Sequence, residues 1–252
     1  MTERLRLDIL PQPDDSTCGP TCLHAVYRFF GEEYPLDQLI QETPRLQNGG
    51  TLAVLLGSHA LRRGYRTTLY TYDLNVFDPT WFQSQRGVVS GAHEGDAIVP
   101  LIEKLRAQRE AKDREKTQLA CDAYIEFLQQ GGIIRMRDLN ARLIRDQLRK
   151  NVPILTGLSS TYLYQVPREF GPTCVDDDVR GEPQGHFVVL CGYDADNRTV
   201  DVADPYLKNP LGLEHHYHVG LDRLVCAILL GVLTYDANLL MIEPRANLTS
   251  PR

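Results

Sequence analysis

Apolar positions along the chain change their period, and each change marks an element. Cys22, Ala25, Val26, Phe29 and Phe30 recur at helical spacing as far as Gly31, which predicts a helix opening at Cys18. Ser16 or Thr17 is placed to cap it, and Pro20 suits a first turn, where a missing N–H costs nothing. Leu36 to Glu42 reads as a short helix. Leu52, Leu55, Leu56, His59 and Ala60 predict another, entered through the turn Gly49-Gly50-Thr51 with a cap and ended at Gly64. Residues 96–130 are helical in pattern with a charged middle, one or two helices closed by Gly131 and Gly132, and Leu139, Leu143 and Leu148 mark a further helix. Strands are expected at Leu5 to Leu10, as a short edge, at Arg66 to Tyr72, and at Val152 to Leu158 with Pro153 at its start. The chain ends with a helix near Leu221 to Leu230 and a strand near Leu239 to Ile242.

The most informative stretch is late. Ser159 to Gln184 is rich in Tyr, Pro and Asp and reads as a loop beside an active site. Gly185 to Tyr193 is then apolar on both faces except at His186, and Thr199 to Pro205 follows after turn residues, so the pair is a hairpin. A three-residue loop at Asp194, Ala195 and Asp196 sets Tyr193 against Asn197 and brings His186 opposite Asp204, and a four-residue loop shifts that pairing by one. Opposed β-carbons lie roughly 5 Å apart, close enough for a carboxylate to hold an imidazole. Asp204 should end the buried face that Val200 and Val202 begin, with Asp194 and Asp196 in solvent.

Length and composition narrow the class. A chain of 252 residues, 42% hydrophobic, can bury a full core, and a single domain over 1–252 is expected, with a helical insertion around 73–137. The net charge of −6 disfavours nucleic acid and anionic membrane as partners. No signal segment follows Met1, and the longest apolar run, Leu224 to Leu233, is too short to span a bilayer, so a soluble cytoplasmic protein is expected. Six irregularly spaced cysteines, mostly flanked by apolar residues as at Cys121, Cys191 and Cys226, read as reduced buried thiols.

Three residue types meet the needs of nucleophilic acyl transfer. Cys18 sits where a helix dipole and unpaired N–H groups favour thiolate, His186 can take and return a proton, and Asp204 can fix the imidazole tautomer. Gln12, six residues before Cys18, offers an amide donor that, with the Cys18 N–H, could hold an oxyanion, an interaction often worth roughly 3 kcal/mol of barrier. Each residue also has a plain reading: an inert cysteine, a satisfied core histidine, an Asx turn before Pro205, an ordinary loop amide. Cys22 reads as core packing. His24 is a poor rival base, lying about 9 Å along the axis and roughly 120° around from Cys18.

The order Gln, Cys, His, Asp, with Cys18-Gly19 at a helix start and Gly185-His186-Phe187-Val188-Val189 on a late strand before Asp204-Pro205, resembles papain-like cysteine peptidases of the type that removes double-glycine leaders from bacterial peptides. The resemblance implies an α+β papain-like fold, with the nucleophile helix packed on an antiparallel sheet. It implies catalytic Cys18, His186 and Asp204, with Gln12 in the oxyanion hole and no cofactor. The chain looks like a stand-alone cytoplasmic relative, and the stretches Tyr162-Leu163-Tyr164 and Gly185 to Leu190 look similar to bacterial relatives associated with peptide-ligase enzymes. Such peptidases accept glycine just before the cut because a narrow cleft excludes any β-carbon. Tyr162, Tyr164 and Phe170 are candidate walls, and Asp176 to Asp178 would favour basic residues nearby. Three rivals remain: a metal protein built on His215, His216, His218 and Cys226; a silent peptide-binding module of the same fold; and transamidation or deamidation through the same thioester.

Overall fold

A computed structural model describes residues 2–46, 50–82, 98–212 and 214–245. Helices α1 (Cys18–Phe29), α2 (Leu36–Glu42) and α3 (Ala53–Arg62) precede strand β2 (Arg66–Thr71), while β1 (Thr2–Arg4) lies ahead of them. Two longer helices, α4 (Ile98–Ala111) and α5 (Glu115–Gln129), lead to β3 (Ile133–Arg135), α6 (Ala141–Leu148) and β4 (Ile154–Ser159). After a short helix α7 (Ser160–Tyr164) and a two-strand ribbon β5 (Glu169–Phe170) and β6 (Val175–Asp176), the chain forms β7 (Gly185–Asp194), β8 (Thr199–Ala203), β9 (His216–Gly220), α8 (Leu221–Leu230) and β10 (Asn238–Glu243).

The sheet runs β3-β2-β10-β4-β7-β8-β9, antiparallel except where β2 meets β3, and β1 joins the far end of β7. This is the expected α+β architecture. β7 has three strand partners, β4, β8 and β1. It pairs with β4 over its first half and with β1 over its last residues, where Leu5 N–H continues the ladder to Cys191 O at 2.7 Å. Helices cover both faces of the sheet, which is why β7 carries no polar alternation after His186. Phe187, Val189 and Cys191 face a core with α1, α3 and α5. Val188 and Leu190 face a second core with α6, α8, Val200 and Val202. At the crossing of α3 and α5 a Cβ on Gly57 would meet the Phe127 ring at 2.8 Å, so only glycine allows that approach. Residues 83–97 of the expected insertion, and Gly49 of the expected turn, lie outside the described residues. Among the described residues no helix is long and apolar enough to cross a membrane.

Several expectations are corrected in detail. The edge strand is Thr2–Arg4 rather than Leu5 to Leu10, because pairing to β7 places it there. Neither Ser16 nor Thr17 caps α1: Thr17 is the boundary residue, but its hydroxyl donates to Asp14 O at 2.8 Å, and Ser16 Oγ donates to Asp14 Oδ1 at 2.6 Å. Thr51 donates to Pro44 O at 2.9 Å instead of capping α3. Cys226 and Cys174 are exposed, while the other four cysteines are buried, all free. The hairpin turn spans 195–198 with Asp194 opposite Thr199, and the register shifts between Leu190 and Gly192. Beyond that bulge Val189 faces Ala203, so the direct partner of His186 is not Asp204 but Leu158 on β4.

Candidate active site

The site forms where three elements meet: the start of α1, the first residues of β7, and the chain just past β8. α1 is fixed against β7 by close packing. A Cβ on Gly19 would meet Thr51 Cγ2 at 2.7 Å and the Phe187 ring at 3.3 Å, and Cys22 Sγ donates to Phe187 O at 3.2 Å. Cys18 is thereby held at the mouth of the helix, buried but for a small exposed fraction of 7%. With no side-chain cap and with Pro20 lacking an N–H, the N–H groups of Cys18 and Gly19 have no acceptor among the described residues.

His186 and Asp204 meet despite the shifted register, because a diagonal pair on one face of a twisted hairpin remains within reach of long side chains. His186 Nε2 lies 2.8 Å from Asp204 Oδ1, and Cys18 is near enough to act on the charge of the imidazole. Asp204 is fully buried and fully engaged. Its Oδ2 accepts from Tyr164 Oη at 2.6 Å and Tyr217 Oη at 2.8 Å, and its Oδ1 also accepts from Tyr206 N–H at 2.8 Å. Its backbone is pinned as well, with N–H donating to His215 O at 2.8 Å and the carbonyl 2.7 Å from His215 Nδ1. The rings of Tyr164 and Tyr206 stand 6.1 and 6.3 Å from the imidazole, walling off its flanks.

These contacts set the charges. Burial alone would lower the His186 pKa, but the Asp204 charge and hydrogen bond, with Cys18, outweigh it and raise it to about 10. Burial alone would raise Asp204, yet the His186 charge and the donors around the carboxylate hold it below the usual range. The pair is therefore ionised at neutral pH, a dry imidazolium–carboxylate next to a sulfur. Cys22, one turn below, is different: burial first, then its acidic neighbours Cys18 and Asp204, push its thiol well up.

Gln12 is brought to the same corner by its backbone, whose N–H donates to Pro205 O at 2.9 Å. Its side-chain nitrogen donates to Asp14 O at 3.0 Å, and its Oε1 is buried without a partner. Asp194 is away from the site, closing its own turn by accepting from Asp196 and Asn197 N–H at 2.9 and 3.2 Å.

Other expected residues are placed elsewhere. Tyr164 buttresses Asp204 from the buried side, while Tyr162 lines an apolar groove with Val166, Leu230 and Leu233. In the acidic loop Arg180 pairs with the Asp177 carboxylate at 2.6 Å, and Arg168 donates to the backbone carbonyl of Asp178 at 2.5 Å. Of the histidine tract, His215 holds the Asp204 backbone and His218 Nδ1 lies 2.5 Å from Asp201 Oδ1. Tyr217, in the middle of that tract, is the functional neighbour the sequence reading missed. Its alternation with His216 and His218 on a strand was the available signal.

Residues 122–220, the segment carrying His186 and Asp204 but neither Cys18 nor Gln12, match the model of the Peptidase_C39 like family. Over that segment the chain is similar to the C39-like peptidases. No curated protein sequence matches it. Among solved structures it is similar to a double glycine motif protease from an AMS/PCAT transporter in complex with the leader peptide (13% identity, 96% of this chain and 94% of that one, TM-score 0.44). It is also similar to a putative C39-like peptidase from Bacillus anthracis (13% identity, 97% and 98%, TM-score 0.47) and to xylellain, a cysteine protease from Xylella fastidiosa (12% identity, 97% and 86%, TM-score 0.43).

Proposed function

We propose that Cys18 is the nucleophile of a peptidase that cuts peptide bonds after small residues, Gly-Gly or Gly-Ala, in a peptide or a flexible protein tail. The observation that carries the reading is the His186–Asp204 pair at 2.8 Å, with Cys18 among the groups that raise the pKa of the ring. The thiolate attacks the scissile carbonyl, and the carbonyl oxygen takes up the negative charge against the free Cys18 N–H and one of the two N–H groups of the Gln12 amide. His186, protonated, gives its Nδ1 proton to the leaving amine as the tetrahedral centre collapses to a thioester. Water then loses a proton to the same nitrogen and attacks the thioester, which releases the acid and restores the thiolate–imidazolium pair. Asp204 does not take the proton. It keeps the ring oriented through four accepted hydrogen bonds, and the tyrosine rings keep water from competing for it.

Crowding near the nucleophile supports a small residue before the cut: a Cβ on Gly19 would already meet Thr51 and Phe187, and aromatic rings stand about the His186 ring. The test is a peptide library with product masses. Cleavage after Gly-Gly or Gly-Ala, strongly reduced by Val or Phe before the cut, is expected; a preference for large apolar residues there refutes the narrow cleft and leaves the Cys18 chemistry standing.

A further inference from the structure

The triad leaves one acid beside it unused. Asp236, just ahead of β10, is packed among three glycines: a Cβ on Gly157 would meet its carbonyl oxygen at 2.5 Å, one on Gly231 its carbonyl carbon at 3.1 Å, and one on Gly185 its Oδ2 at 2.1 Å. The last contact matters most. Gly185 is exposed and immediately precedes His186, so a carboxylate oxygen of Asp236 occupies the place a side chain would take at the lip of the site. Any residue but glycine at 185 would push that oxygen away.

The charge around Asp236 is not balanced by a partner. Among the described residues no cation lies within ion-pair distance of it. Lys116, the ammonium that acts on it through space, donates to Thr234 O at 3.0 Å and sits 4.7 Å over the Tyr235 ring. A second acid, Asp73, is buried nearby at 1% exposure with its Oδ2 lacking any hydrogen-bond partner, and it adds negative potential to the same spot. A buried acid with no cation in contact is costly to ionise, and a cation that reaches it favours the charged form. Burial first, and Asp73 with it, raise the Asp236 pKa to about 7 against the lowering pull of Thr234, Lys116 and His186. An arriving cation would restore the ionised form.

The geometry points to Asp236 as a specificity-determining residue that receives a cationic group of the substrate, an arginine or lysine side chain or a free amino terminus, beside the peptide bond to be cut. This rests on the peptidase reading, and it assigns basic-residue preference to Asp236 rather than to the acidic loop, whose Asp177 is already paired with Arg180. A neutral isostere of arginine loses the interaction without changing size, which separates charge from shape.

Internally quenched peptides with a central Gly-Gly test it, with Arg or its uncharged isostere citrulline scanned through three positions before and two after the glycine pair, each acetylated or with a free amino terminus. Wild-type protein should favour Arg over citrulline by about tenfold in kcat/KM at one position, or the free amine over the acetylated form, and Asp236→Asn should reduce that ratio to about one. Equal rates for Arg and citrulline at all positions, with no gain from a free amine, overturn the assignment on wild-type protein alone, whether or not the variant folds. A ratio that survives in folded Asp236→Asn overturns it too. Iodoacetamide labelling of Cys18 is read in parallel: a labelled Cys18 with no peptide cut removes the peptidase reading and this inference together, and an unlabelled Cys18 removes the nucleophile.

Discussion

Among the described residues, two histidines pair with a carboxylate that also accepts from tyrosine hydroxyls, and they behave oppositely. His186 lies against Asp204, which is wholly buried and accepts from two tyrosines, with Cys18 close by. His59, on α3, has its Nε2 3.0 Å from Glu42 Oε2 on α2 and its Nδ1 2.8 Å from Tyr27 Oη on α1. Glu42 is substantially exposed, so solvent screens its charge; burial dominates and the His59 pKa falls, while that of His186 rises. The same three residue types thus give a neutral structural ring in one place and an imidazolium next to a nucleophile in the other. Where the carboxylate sits relative to water decides which.

The comparison breaks if the two histidines prove equivalent in turnover. His186→Gln or Cys18→Ala should lower kcat/KM by more than about 10³, whereas His59→Gln should leave it within about threefold and instead lower stability by about 1–3 kcal/mol, the cost of stranding the Tyr27 hydroxyl. Matched peptide assays and denaturant melts on the three variants check this.

Next in size is the carboxylate. Asp204→Ala removes the acceptor of four donors and should cost at least about 10² in turnover, with Asp204→Asn intermediate because an amide oxygen still orients the ring. Tyr164→Phe and Tyr217→Phe each delete one hydrogen bond to Oδ2 and should cost about 1 kcal/mol apiece, with the pKa of His186 moving in each. An NMR titration of the ring separates that from loss of packing.

The pH dependence of stability sharpens the contrast further, since its sign differs between the two sites. The folded pKa of His186 is raised to about 10, so its contribution is whole below the unfolded value of about 6.5 and fades as pH climbs between them. That of His59 is depressed, so its contribution is whole above about 6.5 and fades as pH falls. The stability gap between wild type and His186→Gln should therefore narrow from pH 6 to 10, while the gap to His59→Gln should narrow on acidification. Thermal melts across pH 5–10 with parallel slopes for both variants would end the distinction.

The smallest effect expected is at the turn. Asp194→Ala should alter turnover by less than about twofold, because its carboxylate serves only its own loop. A loss equal to that at Asp204 would mean the two acids had been assigned the wrong way round.

Much of this was legible from local pattern. α2 lies at Leu36–Glu42 and α8 at Leu221–Leu230, as expected, and His186 and Asp204 meet at 2.8 Å. What was not legible depended on contacts distant in sequence. A bulge between Leu190 and Gly192 moved the hairpin register, yet twist restored the pairing that straight counting had reached through a wrong alignment. Thr17 and Thr51 look like caps, but each hydroxyl found a carbonyl in a preceding loop. Tyr217 was hidden inside a histidine-rich run whose chemistry drew the eye elsewhere, and Asp236 is a single acid in an unremarkable stretch whose burial only the converging glycines create.

The bare start of α1 closes a route to durability that most helices keep open. An aspartate at 17 could accept from the Gly19 N–H, about 1 kcal/mol on the usual scale for a cap, but it would lose the donation to Asp14 O and bury a charge at a position with no exposure. It would also compete for the donors that an oxyanion needs. Selection for heat tolerance and selection for activity, run side by side on one library, should therefore both reject Thr17→Asp and both keep the hydroxyl.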